Sequence, residues 1–300
     1  VGHRIETNAY PCGLALAATW NEKLAYEYGQ SLGRDCRARG IHIILGPAVN
    51  IHRAPMCGRN FEYMGEDPYL TARTTVGYIK GVQSQKVMAT VKHFLANNSD
   101  YDRARISNDI DERTAHEIYF PAFKAAVQEA EVGAVMTSYN LVNGIYTNEN
   151  PWLLKDVLRK TWGFNGMVVS DWSAAQYSIP TCNAGMDLEM PGAEKNKPQE
   201  IAYYLRTGYV TMDTINERIR HILRVIIGFG FLDAQQQDKN IPLDNPASVE
   251  TALKVANEAI VLLKNEKNIL PVNPKKYKKI AVVGKNANGY VCGGGSGSVN

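Results

Sequence analysis

The sequence predicts an α/β fold and, within that class, a TIM-like (β/α) barrel. Three observations carry the prediction. Short runs rich in Val, Ile and Met alternate with longer amphipathic stretches. Polar, glycine and aromatic residues crowd the end of one run after another. The early runs also lack the G-x-G-x-x-G turn of a dinucleotide-binding sheet.

The runs at residues 41–49, 87–91, 133–138 and 167–170 read as buried parallel strands, because a strand covered on both faces loses polar alternation. Helical patterns fill the intervals at residues 21–39, 71–85, 111–130 and 151–161. The last starts with Asn150 as cap and Pro151 at the first helical position. Periodicity alone does not separate a closed barrel from an open, doubly wound sheet. The positions of the polar residues do favour one. Asn50-Ile51-His52-Arg53, Lys92-His93, Tyr139-Asn140 and Asp171-Trp172 each follow an apolar run, and a barrel with its site on the carboxyl-end loops gathers residues from several strands.

An amphipathic stretch at residues 213–227 ends at Gly228-Phe229-Gly230, and the polar, Gln-rich segment after it reads as a linker. The expected division is therefore a barrel domain over residues 1–232, a linker over 233–248, and the beginning of a second α/β domain over 249–300. That second domain should open with a helix at 249–264 and a strand at 280–283. Gly293-Gly294-Gly295-Ser296-Gly297 follows the strand without a helix after it, so it is not read as a nucleotide site.

With 45% apolar and 21% charged residues, the chain can bury a large core. Its 33 basic and 30 acidic residues are spread without blocks, so neither a nucleic-acid-binding arm nor a disordered acidic tail is expected. No apolar stretch approaches the roughly 18 residues of a membrane span. The chain is expected to be soluble, and the sequence does not define its compartment or oligomeric state. The five cysteines Cys12, Cys36, Cys57, Cys182 and Cys292 are far apart and form no C-x-x-C pair, so they read as reduced core or loop thiols.

The string Cys57-Gly58-Arg59-Asn60-Phe61-Glu62-Tyr63, followed by Gly65-Glu66-Asp67-Pro68, places charged residues among aromatics in a loop that leaves a buried strand. Together with Val91-Lys92-His93-Phe94, Met136-Thr137-Ser138-Tyr139-Asn140 and Val168-Val169-Ser170-Asp171-Trp172, in that order and spacing, it resembles glycoside hydrolase family 3. Val1-Gly2-His3-Arg4 looks like the tail of that family's D-G-P-x-G-x-R segment, whose aspartate would precede Val1. The end of the chain looks like the start of the family's second domain, an α/β sandwich. The resemblance thus implies a chain cut short at both ends.

The resemblance makes Asp171 the nucleophile of a retaining glycosidase, and the chemistry is intelligible. A carboxylate held at a strand end attacks the anomeric carbon, and water later releases the glycosyl ester. Arg59, Lys92, His93 and Arg103 are assigned to the glycone subsite, and Arg4 belongs to a segment that resembles another substrate-binding one. Lys92 supports this assignment on its own, since an ammonium at the end of a buried strand needs polar partners such as sugar hydroxyls. Trp172 and Tyr139 would pack on the CH face of a pyranose, and Met136 would line the same wall unless it is plain core. Asp187 is read as a supporting acid, and Glu62, Glu66 and Asp67 as ion-pair partners that order their loop.

A retaining mechanism also needs a general acid. The segment Phe94-Leu95-Ala96-Asn97-Asn98 lacks the Pro-Gly of the N-acetylglucosaminidase subgroup, so the acid is expected from the second domain beyond Asn300. Cys57 stands where xylosidase-like members tend to carry tryptophan. The expected activity is exo-hydrolysis of β-linked oligosaccharides or aryl β-glucosides with no metal or organic cofactor. A β-xylosidase of the same fold and a non-catalytic sugar-binding relative remain as alternatives.

Overall fold

The computed structural model describes residues 7–289. Seven strands occur among them: β1 (Ile43–Ile44), β2 (Met88–Phe94), β3 (Ser107–Asn108), β4 (Ala134–Thr137), β5 (Leu141–Val142), β6 (Ile145–Tyr146) and β7 (Met167–Val169). The main sheet has the order β1-β2-β4-β7 with every pair parallel, and Leu188 adds a parallel bridge beyond Val169. All residues of β2, β4 and β7 are buried, as the continuous apolar runs foretold. The fold is α/β with a parallel sheet. The far edge of β1 has no partner strand among the described residues, so closure into a barrel is not seen there.

The helices α1 (Gly13–Ala18), α2 (Glu22–Ala38), α3 (Pro68–Gln83), α4 (Glu112–Thr114), α5 (Pro121–Gln128), α6 (Ser178–Ala184), α7 (Pro198–Thr207), α8 (Met212–Gly228) and α9 (Pro246–Glu258) alternate with these strands or follow them. Two wider, π-helical segments, Ala115–Tyr119 and Trp152–Thr161, complete the patterns expected at 111–130 and 151–161. Asn150 caps its helix as read from sequence, accepting from Leu153 N, and Asn21, read as the first residue of its helix, instead caps α2 by accepting from Leu24 N. Helices α2 and α3 pack closely through glycines: a Cβ on Gly81 would fall 2.1 Å from the Tyr26 carbonyl oxygen, and one on Gly29 2.2 Å from that of Tyr78. Behind the sheet, Phe94 meets Phe123 at 5.1 Å and Trp162 at 5.8 Å between ring centres, in edge-on contacts that aromatic quadrupoles favour.

Several sequence expectations change. The apolar run at 41–49 pairs as a strand only at β1 and again at Ala48, because Gly46-Pro47 interrupts it. Helix α9 ends at Glu258 rather than at 264, and Ile260 to Leu263 are exposed. Residues 280–283 form no strand, and Ile280, Val282 and Val283 are exposed; an apolar run without neighbouring strands has nothing to pair with. Helix α9 lies against α2, where Ser248 donates to Asp35 at 2.9 Å and Ser31 donates to Thr251 at 3.1 Å, both buried. Cys12, Cys36, Cys57 and Cys182 are free thiols, whereas Cys292, Arg4 and the glycines at 293–295 and 297 lie outside the described residues. No described helix is long and apolar enough to cross a membrane.

Candidate active site

Strand β7 delivers Asp171 to the carboxyl end of the sheet. The preceding Ser170 is buried, and its N–H donates to the Leu188 carbonyl, so the chain leaves the sheet in a fixed direction. Asp171 is 7% exposed. Its Oδ1 accepts from the Tyr139 hydroxyl at 3.1 Å and from the Trp172 N–H at 2.7 Å. Its Oδ2 lies 3.4 Å from His93 Nε2 and 3.8 Å from Arg59 Nη1, yet neither contact has hydrogen-bond alignment among the described residues. One oxygen is anchored, and the other keeps lone pairs free for chemistry.

Strand β2 supplies Lys92 and His93, the loop at 54–63 supplies Arg59 and Glu62, and the loop after β2 supplies Arg103. Glu62 joins two cations: it accepts from Arg59 Nε, and its other oxygen stands 3.6 Å from Lys92 Nζ. Burial works against the charge on Arg59, and the bond to Glu62 outweighs it, so the guanidinium is held even more firmly charged than usual. Burial pulls the Lys92 ammonium below its ordinary range, with Glu62 opposing. His93 is driven well below its ordinary value by full burial and then by Lys92, Arg59 and Arg103, so it is neutral at pH 7. Burial, then the charge of Asp171, pushes the Tyr139 phenol up to about 12, which keeps it a proton donor to the carboxylate. Arg103 stacks over the Tyr139 ring at 4.2 Å and donates to Asp100 at 3.1 Å.

The structure therefore brings together Asp171, Arg59, Lys92, His93, Arg103, Tyr139 and Trp172 from sites spread over more than a hundred residues of sequence. Met136 is buried in an apolar cluster with Met88, Met167 and Val169, and Trp172 packs against that cluster. Glu62 is an ion-pair partner as expected, whereas Asp67 caps α3 by accepting from Leu70 N at 2.6 Å and makes no ion pair among the described residues. Asp187 lies one residue before Leu188, toward the amino end of the strands and away from Asp171. There it accepts from Arg159 Nη2 at 2.6 Å and the Val168 N–H at 2.7 Å, and it contacts His221 Nδ1 at 2.8 Å. That is a structural acid, consistent with its reading as a supporting one.

Sequence reading missed Asn50. Its side chain donates to the His93 carbonyl and accepts from the His93 N–H, both at 2.9 Å, and so fixes the backbone between Lys92 and Phe94. The polar cluster that begins at Asn50 was the available signal. Tyr63 is fully buried with its hydroxyl 3.3 Å from His93 Nδ1 and 3.1 Å from Asn97 O.

Comparison with known proteins decides the family. The glycosyl hydrolase family 3 N terminal domain matches residues 1–225, and the glycosyl hydrolase family 3 C-terminal domain matches residues 260–300. The chain belongs to glycosyl hydrolase family 3. This family 3 chain is 44% identical to a beta-glucosidase of Rhizobium radiobacter over 98% of its own length and 36% of that protein. It is 40% identical to thermostable beta-glucosidase B of Acetivibrio thermocellus, with 95% of this chain and 37% of the relative covered. Among solved structures, beta-glucosidase 3B from Thermotoga neapolitana in complex with alpha-D-glucose superposes with a TM-score of 0.85 at 38% identity, covering 89% of this chain and 38% of that one. The chain thus spans little more than a third of the length of the curated relatives it matches.

Proposed function

We propose that the full-length protein is a retaining exo-β-glucosidase that releases terminal non-reducing β-D-glucosyl residues, with Asp171 as nucleophile at the mouth of a TIM-like barrel. The observation that supports this most is the asymmetry of Asp171: Oδ1 is anchored by two donors, while Oδ2 is left open beside a group of sugar-binding donors. Oδ2 attacks the anomeric carbon as the bond from that carbon to the aglycone oxygen breaks, and the departing oxygen takes a proton from a general acid. A glycosyl ester of Asp171 results. The same acid, now a base, removes a proton from water, which attacks the anomeric carbon on the face the aglycone left; the ester bond breaks and the configuration is retained.

Arg59, Lys92 and Arg103 are placed to donate to glycone hydroxyls, and Trp172 and Tyr139 to cover the ring. Glu62 is a poor candidate for the acid, since Arg59 and Lys92 engage both its oxygens. The acid is assigned to the second domain, beyond Asn300. The glucose-bound relative and the beta-glucosidase names of the related proteins favour glucose over xylose. The test is proton NMR of the first sugar released by the full-length protein, alongside rates on nitrophenyl glucoside and nitrophenyl xyloside. β-Glucose appearing first, with the glucoside preferred, is expected. α-Glucose appearing first overturns the nucleophile assignment, and a preferred xyloside overturns the substrate.

A further inference from the structure

We propose that Glu149, through the short turn Thr147–Glu149, is a positioning residue that sets the loop carrying Asp171 against the strand end carrying Tyr139. The inference rests on Asp171 being the nucleophile. Glu149 is buried and has no ion-pair partner among the described residues. An unpaired buried carboxylate is costly unless its hydrogen bonds are spent on something that needs holding. Its Oε1 serves the backbone, accepting from the N–H groups of Tyr177 at 2.8 Å and Gln176 at 3.1 Å, and the Thr181 hydroxyl also stabilises the carboxylate. Both belong to the segment that follows Asp171-Trp172.

The two residues before Glu149 act in the same direction. Asn148 donates to the carbonyl of Ala174 at 2.8 Å. Thr147 grips Ser138 at the end of β4, accepting from its N–H at 3.0 Å and donating to its carbonyl at 2.9 Å. Ser138 is followed directly by Tyr139, whose hydroxyl donates to Asp171. Three consecutive side chains thus tie the strand end that supplies the donor to the loop that supplies the acceptor.

That loop needs holding. Ser173 has φ 57°, a left-handed conformation that a non-glycine residue keeps only when its surroundings impose it. Its own N–H donates to the Met190 carbonyl at 2.9 Å on one side, and the Thr147–Glu149 turn restrains the other. Released from Glu149 and Asn148, the turn can relax, and the Trp172 N–H that anchors Asp171 Oδ1 moves with it. The glycone cations lie elsewhere, Lys92 on β2 and Arg59 and Arg103 on other loops, so substrate affinity should fall only by the share that Trp172 contributes, and less than the rate of attack.

The experiment uses the full-length protein and a dinitrophenyl 2-deoxy-2-fluoro-β-glucoside, comparing wild type, Glu149→Leu, Glu149→Gln and Asn148→Ala. Glutamine keeps an acceptor oxygen for the two N–H groups, whereas leucine does not. Misorienting the attacking carboxylate should slow the first-order inactivation of Glu149→Leu by about tenfold to a hundredfold, while the reagent's dissociation constant should change clearly less than the rate. Glu149→Gln should recover to within about threefold of wild type. Unchanged inactivation in folded Glu149→Leu, or a loss confined to reagent affinity, overturns the inference. If Glu149→Leu does not fold, Asn148→Ala carries the same test, because it unties the same loop through a different bond. Absence of label on Asp171 in the wild type overturns the nucleophile reading itself, a result distinct from a labelled wild type with an unaffected variant.

Discussion

Replacing Lys92 by methionine separates its two roles, because binding and stability should move in opposite directions. The side chain is 10% exposed, and its nitrogen stands 3.6 Å from Glu62, too far for a strong hydrogen bond. Burial lowers its folded-state pKa below the unfolded value of 10.5. For a base shifted this way, the unfolded chain binds the proton more tightly. Lys92 therefore costs stability at all pH values below its folded pKa, and the cost fades as pH rises toward 10.5. Methionine preserves most of the length and removes the charge, while Glu62 keeps Arg59 as partner. Stability at pH 7 should hold or rise. The sugar would lose a charged hydrogen bond worth about 1.5 to 3 kcal/mol, which lowers kcat/KM by roughly ten- to hundredfold. Nitrophenyl glucoside kinetics on the full-length protein, paired with urea denaturation at pH 7 and pH 10, measure both quantities. Unchanged kcat/KM together with reduced stability would refute the reasoning, because it would make Lys92 a purely structural cation.

Asp187→Asn should destabilise by about 2 to 4 kcal/mol, since the half-buried Arg159 would be left against a neutral partner, yet the folded fraction should keep its kcat. A stable but inactive variant would transfer the catalytic role to Asp187. His93 stays neutral in the folded protein while an unfolded histidine titrates near 6.5, so folding stability should fall as pH drops below 6.5. Denaturation curves between pH 7 and pH 4.5 should show a shallower loss for His93→Gln than for wild type, and equal slopes would contradict the neutral assignment.

Part of the candidate site was legible because several of its members sit at the carboxyl end of an apolar run, where a strand fully buried on both faces leaves its first polar residues at the sheet edge. Asp171 after Val168-Val169-Ser170 and Lys92-His93 after Val91 are of this kind. The residues that were missed act on partners remote in sequence: Asn50 bonds His93 43 residues away, and Glu149 bonds Gln176 and Tyr177 27 and 28 residues away. No local pattern encodes such a pairing. Asp67 was misread although its signal was local, since an aspartate directly before Pro68 is the ordinary start of a helix. The apolar run at 280–283 shows the opposite failure, in which pattern alone predicts a strand that requires neighbours to exist. Barrel closure was likewise beyond periodicity, because it depends on a partner for the far edge of β1, which has none among the described residues.

The central claim is that Asp171 attacks the anomeric carbon, and covalent trapping tests it most directly. The full-length protein is incubated with a dinitrophenyl 2-deoxy-2-fluoro-β-glucoside. Its leaving group departs without protonation, and its fluorine slows hydrolysis of the ester enough for it to accumulate. Intact-mass analysis should show one fluoroglucosyl adduct, and peptide mapping should place it on the peptide containing Ser170-Asp171-Trp172. An adduct mapped to Asp187, Glu66 or Asp67 would contradict the account.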